Sequence, residues 1–321
     1  MNYGIPMPKQ STFPYRLLAL FVIVVWGFSF VATKYLYAIG LGPYTVLTLR
    51  TLIAYGILVA LSPHQKIFAD NIRDELKLFL LGVVCVPIYY GLENLALMYT
   101  SASAVAALMA TAPLMTSVIV LLRWHSFRLH WMSKLGICAA ATGTFLVLFD
   151  TQIMQNLPLA GALLCVGSAF AWAVYSALLK TFNGYSGAFV ARKAFGYGLL
   201  TVFPFYLAEG PSASAPFLAE PEVIALIFFL AAGPTTLCTV LWNRASLIVG
   251  ASSVNHYLYW IPVVTIAAGM TLLDETMSFV GLMGAAMILC GVWSAEIGTK
   301  RVSAVLSGAD PEKLSAKISF E

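Results

Sequence analysis

Charged residues are scarce in this chain. Asp, Glu, Lys and Arg together make up 10% of its 321 residues, while 60% are apolar; a soluble domain carries about a quarter charged residues. A chain so poor in charge reads as a membrane protein. It also has no GxxxxGK[ST] phosphate loop. At roughly 20 apolar residues per span, ten spans take up about 200 to 215 positions and leave roughly 110 for connections and tails. That leaves no room for a soluble catalytic domain, and it argues against a nucleotide-driven motor, a DNA-binding module or an extracellular receptor domain.

Paired cysteines are missing too. Cys85, Cys138, Cys165, Cys238 and Cys290 each fall singly inside an apolar run, which points to neither a disulfide framework nor a zinc site, and no cofactor is expected. HExxH and GxSxG are absent, so an intramembrane hydrolase is disfavoured and the chain reads as a non-enzyme. The first apolar run, Arg16 to Ala38, outlasts a signal-peptide core and lacks a small-residue cleavage site, so it reads as helix 1. The net charge of +4 is spread over short loops and the C-terminal tail. Orientation in a bilayer explains that spread better than a nucleic-acid partner.

Hydropathy and turn signals predict spans near 16–38, 44–62, 77–98, 103–122, 132–149, 158–180, 190–208, 222–246, 254–273 and 278–297. The connections alternate between basic and neutral. Lys9 and Arg16, then Lys66, Arg73 and Lys77, then Arg123, Arg128 and Lys134, then Lys180, Arg192 and Lys193 mark one side. The loop from Glu209 to Glu222 carries three glutamates and no cation, and the tail carries Lys300, Arg301, Lys313 and Lys317. The basic side faces the cytoplasm, so both termini are expected there.

The two halves share an ordered set of residues. Trp26 precedes Lys34 by eight positions, as Trp172 precedes Lys180; Arg50 precedes Tyr55-Gly56 as Arg192 precedes Tyr197-Gly198; Asn94 precedes Pro113 by nineteen, as Asn243 precedes Pro262. This reads as a five-plus-five duplication. Five is odd, so the second copy enters the membrane from the opposite side. The predicted fold is therefore an all-α membrane protein of ten transmembrane helices in two inverted five-helix repeats. A cytoplasmic segment 1–15 precedes repeats 16–149 and 158–297, and a cytoplasmic tail 298–321 follows. Inverted repeats of this kind place a central site at their interface.

Trp26-Gly27 with Lys34, Arg50, the stretch Glu93-Asn94-x-Ala96-Leu97, Ser101-Ala102 and Pro113, then Asn243-x-Ala245, Pro262, Asp274-Glu275, Gly284 and Gly291 together resemble the drug/metabolite transporter superfamily, EamA-domain family. The resemblance spans about residues 16 to 297. It implies ten helices in two inverted halves and a carrier, often an exporter, of amino acids or other small metabolites. The family often has an acid after helix 4 as well as after helix 9. Here the first of these stretches reads Arg123-Trp124-His125-Ser126.

An ionisable residue at the centre of a span costs about 2.5 to 3.5 kcal/mol, so each needs a reason. Lys34, Arg50 and Glu93 are expected at one depth in the outer third, where the acid pairs with one cation and leaves the other for a substrate carboxylate or phosphate. Lys180, Arg192 and Arg244 form the corresponding inner set. Snorkelling lysines, orienting arginines and a purely structural Arg50–Glu93 pair are the competing readings. Trp26, Tyr89, Tyr90, Trp172, Tyr175, Tyr259 and Trp260 fall deeper than the interfacial belt, as a lined polar pocket or simple packing would require. Pro87, Pro113, Pro204, Pro234 and Pro262 are expected to interrupt helices. Gly136, Ala140 and Gly143 on helix 5, with Gly281, Ala285 and Gly291 on helix 10, offer small faces, either for packing the halves together or for a dimer seam. His256 is expected to be a satisfied interfacial histidine or a proton carrier.

The resulting expectation is a secondary transporter working by alternating access in a bacterial inner membrane, as a monomer or homodimer. Its solute is a small metabolite such as an amino acid, moved with a proton or a counter-substrate. The candidate binding residues are Trp26, Lys34, Arg50, Tyr90, Glu93, Asn94, Trp172, Tyr175, Asn243 and Tyr259. A lipid or lipid-linked sugar translocator, and a membrane assembly or sensor subunit, are the alternatives.

Overall fold

The computed structural model describes residues 13–112, 115–116, 119, 131–148, 159–182, 184–210, 216–245 and 256–306, and among these every regular element is helical. We number the principal helices α1 (Phe13–Ala38), α2 (Pro43–Leu61), α3 (Ile72–Tyr99), α4 (Ala102–Met109), α5 (Trp131–Leu148), α6 (Leu159–Leu179), α7 (Gly187–Glu209), α8 (Pro221–Ala245), α9 (Ile261–Leu272) and α10 (Phe279–Leu306). Stretches within α1, α2, α3, α6 and α8 are long and apolar enough to cross a membrane; α9 and parts of α5 and α10 are apolar but shorter.

The apolar residues have no single sided stripe because both sides are greasy: neighbouring helices cover one, and large side chains such as Phe21, Phe28, Phe170 and Phe228 remain exposed on the other. This is the pattern of a bundle dissolved in lipid. The first and second halves of the chain interleave. α1 packs on α9, α2 on α7 and α8, α3 on α6 and α7, and α5 on α10.

The α5–α10 contact is made by glycine. A Cβ on Gly143 would lie 2.7 Å from the Ile288 nitrogen, and one on Gly291 would lie 2.7 Å from the Gly136 carbonyl oxygen. The small faces expected on helices 5 and 10 therefore meet each other. No side chain fits between the backbones there.

Proline acts differently from place to place. Pro87 and Pro234 sit inside wide π-turns, Val84–Tyr90 in α3 and Ala231–Cys238 in α8, which relieve the clash of the ring with the preceding turn. The loosened carbonyls of α8 find donors: Thr235 Oγ1 donates to Leu230 O at 2.7 Å, Thr236 Oγ1 to Ala231 O at 2.7 Å, and the Trp26 indole N–H to Pro234 O at 3.1 Å. Pro204 lies within the regular helix α7. Pro262 does not interrupt a helix as expected; it stands in the first turn of α9, where a missing N–H costs nothing. Pro113 lies outside the described residues.

We call the face where α1 ends the upper face. Lys34 donates to Leu97 O at 2.7 Å, so the ends of α1 and α3 share it, as do the starts of α2 and α4 that follow them. Two carboxylates from the second half cap these starts. Glu209 accepts from Tyr44 N, Thr45 N and Thr45 Oγ1, and Glu275 accepts from Ala102 N, Ser103 N and Ser103 Oγ. The lower face is tied by Lys193 paired with Glu75, by Tyr197 donating to the same carboxylate, and by Tyr185 donating to Asp74.

Candidate functional site

A partly enclosed cavity lies between the halves. Its walls come from α1 (Trp26, Ser29, Phe30), α2 (Arg50), α3 (Tyr89, Tyr90, Glu93), α4 and the turn after it (Ala106, Met109, Ala110, Ala112), α6 (Trp172), and Leu258 and Ile261 at the start of α9. Five of the ten candidate residues line it: Trp26, Arg50, Tyr90, Glu93 and Trp172. Its volume is about 40 Å³, room for about three waters and well short of the about 300 Å³ of a small ligand pocket. At that volume a metabolite fits only if the walls part.

Arg50 is 2% exposed and Glu93 6%. They do not form the ion pair expected between helices 2 and 3, although those helices are neighbours. The ion pairs among the described residues are Lys66–Asp70, Lys77–Asp74 and Lys193–Glu75. Arg50 instead donates from Nε to Thr235 Oγ1 at 3.0 Å and lies over the Tyr90 ring with Cζ 4.4 Å from its centroid. These two contacts fix the plane of the guanidinium and leave its two terminal amino groups for another acceptor. Thr235 belongs to the π-turn of α8, so the cation is wired to the loosened part of the second half.

Glu93 has the Arg50 charge and the Tyr89 hydroxyl as polar neighbours, yet its Oε2 is buried with no hydrogen-bond partner, and so is the Trp172 indole N–H. Such orphans cost about 1 to 3 kcal/mol each and more for a charged group. Both residues line the cavity, and a polar solute or water that reaches these two atoms when the walls part would satisfy them.

The rings form one connected cluster. Trp26 meets Trp172 edge-on at 5.6 Å and Trp242 at 5.0 Å; Tyr89 lies 5.0 Å from Trp172 and 4.6 Å from Tyr90; Tyr175 lies 5.5 Å from Trp172. Trp242 and Thr235 were not among the candidates. Thr235 carried no signal in sequence, being one of several threonines in an apolar run. Trp242, next to Asn243, was legible as another deep tryptophan.

The other candidates fall elsewhere. Tyr175, at the edge of the ring cluster, donates to Asn243 Oδ1 at 3.3 Å, and Asn94 Nδ2 donates to Pro43 O at 3.5 Å; none of the three lines the cavity. Lys34 is above it, holding the last turn of α3 through Leu97 O. Tyr259 packs in a separate cluster with Ala104, Ala140 and Ile288, beside α5 and α10. Two members of the expected inner cationic set are described. Arg192 donates to the carbonyls of Ser62 and Lys66, beyond the end of α2, and Arg244 is exposed. A guanidinium spent on carbonyl oxygens at a helix end is no longer a binding group. The side chains of Lys180 and His256 lie outside the described residues.

Comparison with known proteins gives a consistent result. The chain matches the EamA-like transporter family twice, over residues 14–149 and 159–295. An uncharacterized transporter of Archaeoglobus fulgidus is 25% identical over 285 residues, covering 87% of this chain and 96% of its relative. A protein of Escherichia coli K12 named a probable amino-acid metabolite efflux pump is 24% identical over 311 residues, covering 91% and 98%. A protein of known crystal structure, 17% identical, superposes with a TM-score of 0.60 over 91% of this chain and 99% of that one.

Proposed function

The chain belongs to the EamA-like transporter family of the drug/metabolite transporter superfamily, and from that premise we propose that it is a secondary carrier exporting small amphipathic metabolites, amino acids foremost, by alternating access. The observation that carries this reading is the cavity itself. Arg50, bonded through Nε and not through its terminal amino groups, Glu93, with one carboxylate oxygen lacking a partner, and Trp172, with its indole N–H lacking one, line one space together with Trp26 and Tyr90. An α-amino acid has matching parts. Its carboxylate takes the Arg50 fork, its ammonium takes Glu93, and its side chain lies on the tryptophans.

The relatives named amino-acid metabolite efflux pumps support the same solute class. Ten spans in two inverted repeats, with both termini cytoplasmic in a bacterial inner membrane, remain the arrangement that fits the alternation of basic loops; in it the upper face is periplasmic. Glu93 then binds the substrate ammonium in one half of the cycle and a proton in the other, and a proton gradient drives export.

The test is transport by the purified chain in liposomes, with a panel of radiolabelled amino acids under an imposed proton gradient and under exchange. Movement of at least one solute, lost in Arg50→Ala, is the expected result. A panel that stays put under both conditions overturns the proposal.

One observation favours a lipid translocator instead. An apolar groove of about 410 Å³ between α1, α8 and the end of α9 is lined by Val24, Phe28, Tyr35, Glu222, Phe229 and Leu272. Several of its lining residues are exposed on the outer surface of the bundle, as a lateral entrance requires. Flipping of a fluorescent phospholipid in the same liposomes, without amino-acid movement, would move the assignment there.

A further inference from the structure

The two carboxylate caps on the upper face are chemically alike. Each glutamate spans two successive backbone N–H groups at a helix start and takes the hydroxyl of the second residue as well: Glu209 receives Tyr44 N at 2.9 Å, Thr45 N at 2.7 Å and Thr45 Oγ1 at 2.7 Å, and Glu275 receives Ala102 N at 2.7 Å, Ser103 N at 3.0 Å and Ser103 Oγ at 2.6 Å. Caps of this kind normally come from the residue just before the helix. Here Gly42 precedes α2 and offers no side chain, while Ser101 caps only Ala104 N of α4. The acids arrive from 165 and 173 positions further along the chain.

Both acids therefore belong to the second half and both helix starts to the first. Fixed backbone dipoles help hold an anion at each seat, and the Lys34 charge lies within electrostatic reach of Glu275. The lower face is built otherwise. Its ties are the Lys193–Glu75 pair, the tyrosine hydroxyls and Arg192 on carbonyls.

We propose that Glu209 and Glu275 are the bolts of the upper gate: two gating residues that never touch the solute, seated on the α2 and α4 helix starts, whose joint withdrawal opens the cavity to that face. The inference rests on the carrier reading only in treating this face as a mouth. Arg50 lies on α2, and Ala106 and Met109 on α4, so the same two helices that the bolts hold also wall the cavity. Withdrawing both bolts frees those walls together.

The test is alkylation of a reporter cysteine in the cavity, Ser29→Cys, whose native hydroxyl serves only its own helix through the Trp26 carbonyl. A membrane-impermeant maleimide is added to one side of vesicles of known orientation, and labelling at position 29 is read by peptide mass spectrometry with the native cysteines left in place. The double variant Glu209→Gln and Glu275→Gln is expected to raise the upper-side rate about tenfold or more, with the lower-side rate unchanged or reduced. A second double variant, Thr45→Val with Ser103→Ala, leaves the acids intact, removes one donor from each seat, and is expected to give a smaller rise on the same side. An unchanged upper-side rate, a rise on the lower side only, or an equal rise from both sides, which is general loosening, overturns the proposal. No solute enters this readout, so failure of the amino-acid assignment in the transport assay leaves its outcome intact.

Discussion

At the residue scale the strongest observation is that the buried cation and the buried acid share a cavity without forming an ion pair. Arg50 is held by Thr235 and Tyr90, so its orientation outlasts any change at Glu93. Arg50→Lys keeps the charge but loses the fork and the flat face. We expect transport of the preferred solute to fall about tenfold to a hundredfold, mainly through a raised KM, as initial rates in liposomes will read. Glu93→Gln keeps the volume and removes the titrating group. The expected outcome is a transport rate that no longer varies between external pH 5.5 and 8 and a loss of proton-driven accumulation, with passive exchange retained. Unaltered pH dependence in that variant would remove Glu93 from coupling. Sequence alone singled out both residues as candidates, because an ionisable group inside a span demands an explanation. It misjudged what they do to each other, because the competing partner, Thr235, lies 185 positions away and is chemically inconspicuous.

At the element scale, two wide turns built around Pro87 and Pro234 flank the cavity, one in each half. Thr235 serves both sides of the second turn, donating to Leu230 O and accepting from Arg50. Thr235→Val is nearly isosteric and removes both bonds. We expect a loss of about 1 to 3 kcal/mol of stability, seen as a lower Tm in detergent, with a larger proportional loss of transport because the guanidinium is no longer aimed. At the other seam, Gly136→Val places branched carbon against the Gly291 carbonyl and the Ala295 backbone. Overpacking of that kind costs about 1 to 3 kcal/mol or more; the expected readout is a Tm drop without recovery on adding solute. Helix positions were largely legible in sequence, since apolar runs and turn residues mark them. The π-turns were not: proline announces an interruption, but whether the helix kinks, widens or begins there depends on which neighbours reach the freed carbonyls. Pro262 illustrates this, being read as a break and found in a first turn.

At the scale of the whole molecule, the halves meet along three kinds of contact: rings and polar groups around the cavity, charged or hydroxyl ties at each face, and glycine backbone at the α5–α10 seam. A ligand that fills the cavity binds across the halves and should raise Tm, by mass action reaching about 2.7 kcal/mol at a hundred times its Kd. A thermal-shift screen of metabolites on the purified chain therefore finds candidates, and a hit that disappears in Trp172→Ala locates its seat. Glycine's part in the architecture was visible as spacing, whereas the partner of each small face needed the fold. The seam has a mechanical consequence. Elsewhere side chains can exchange rotamers as helices slide, but where carbonyl meets α-carbon there is nothing to rearrange, so α5 and α10 can pivot or separate and cannot slip. In the proposed alternating-access cycle, rocking of one half against the other would turn about that line as about an axle.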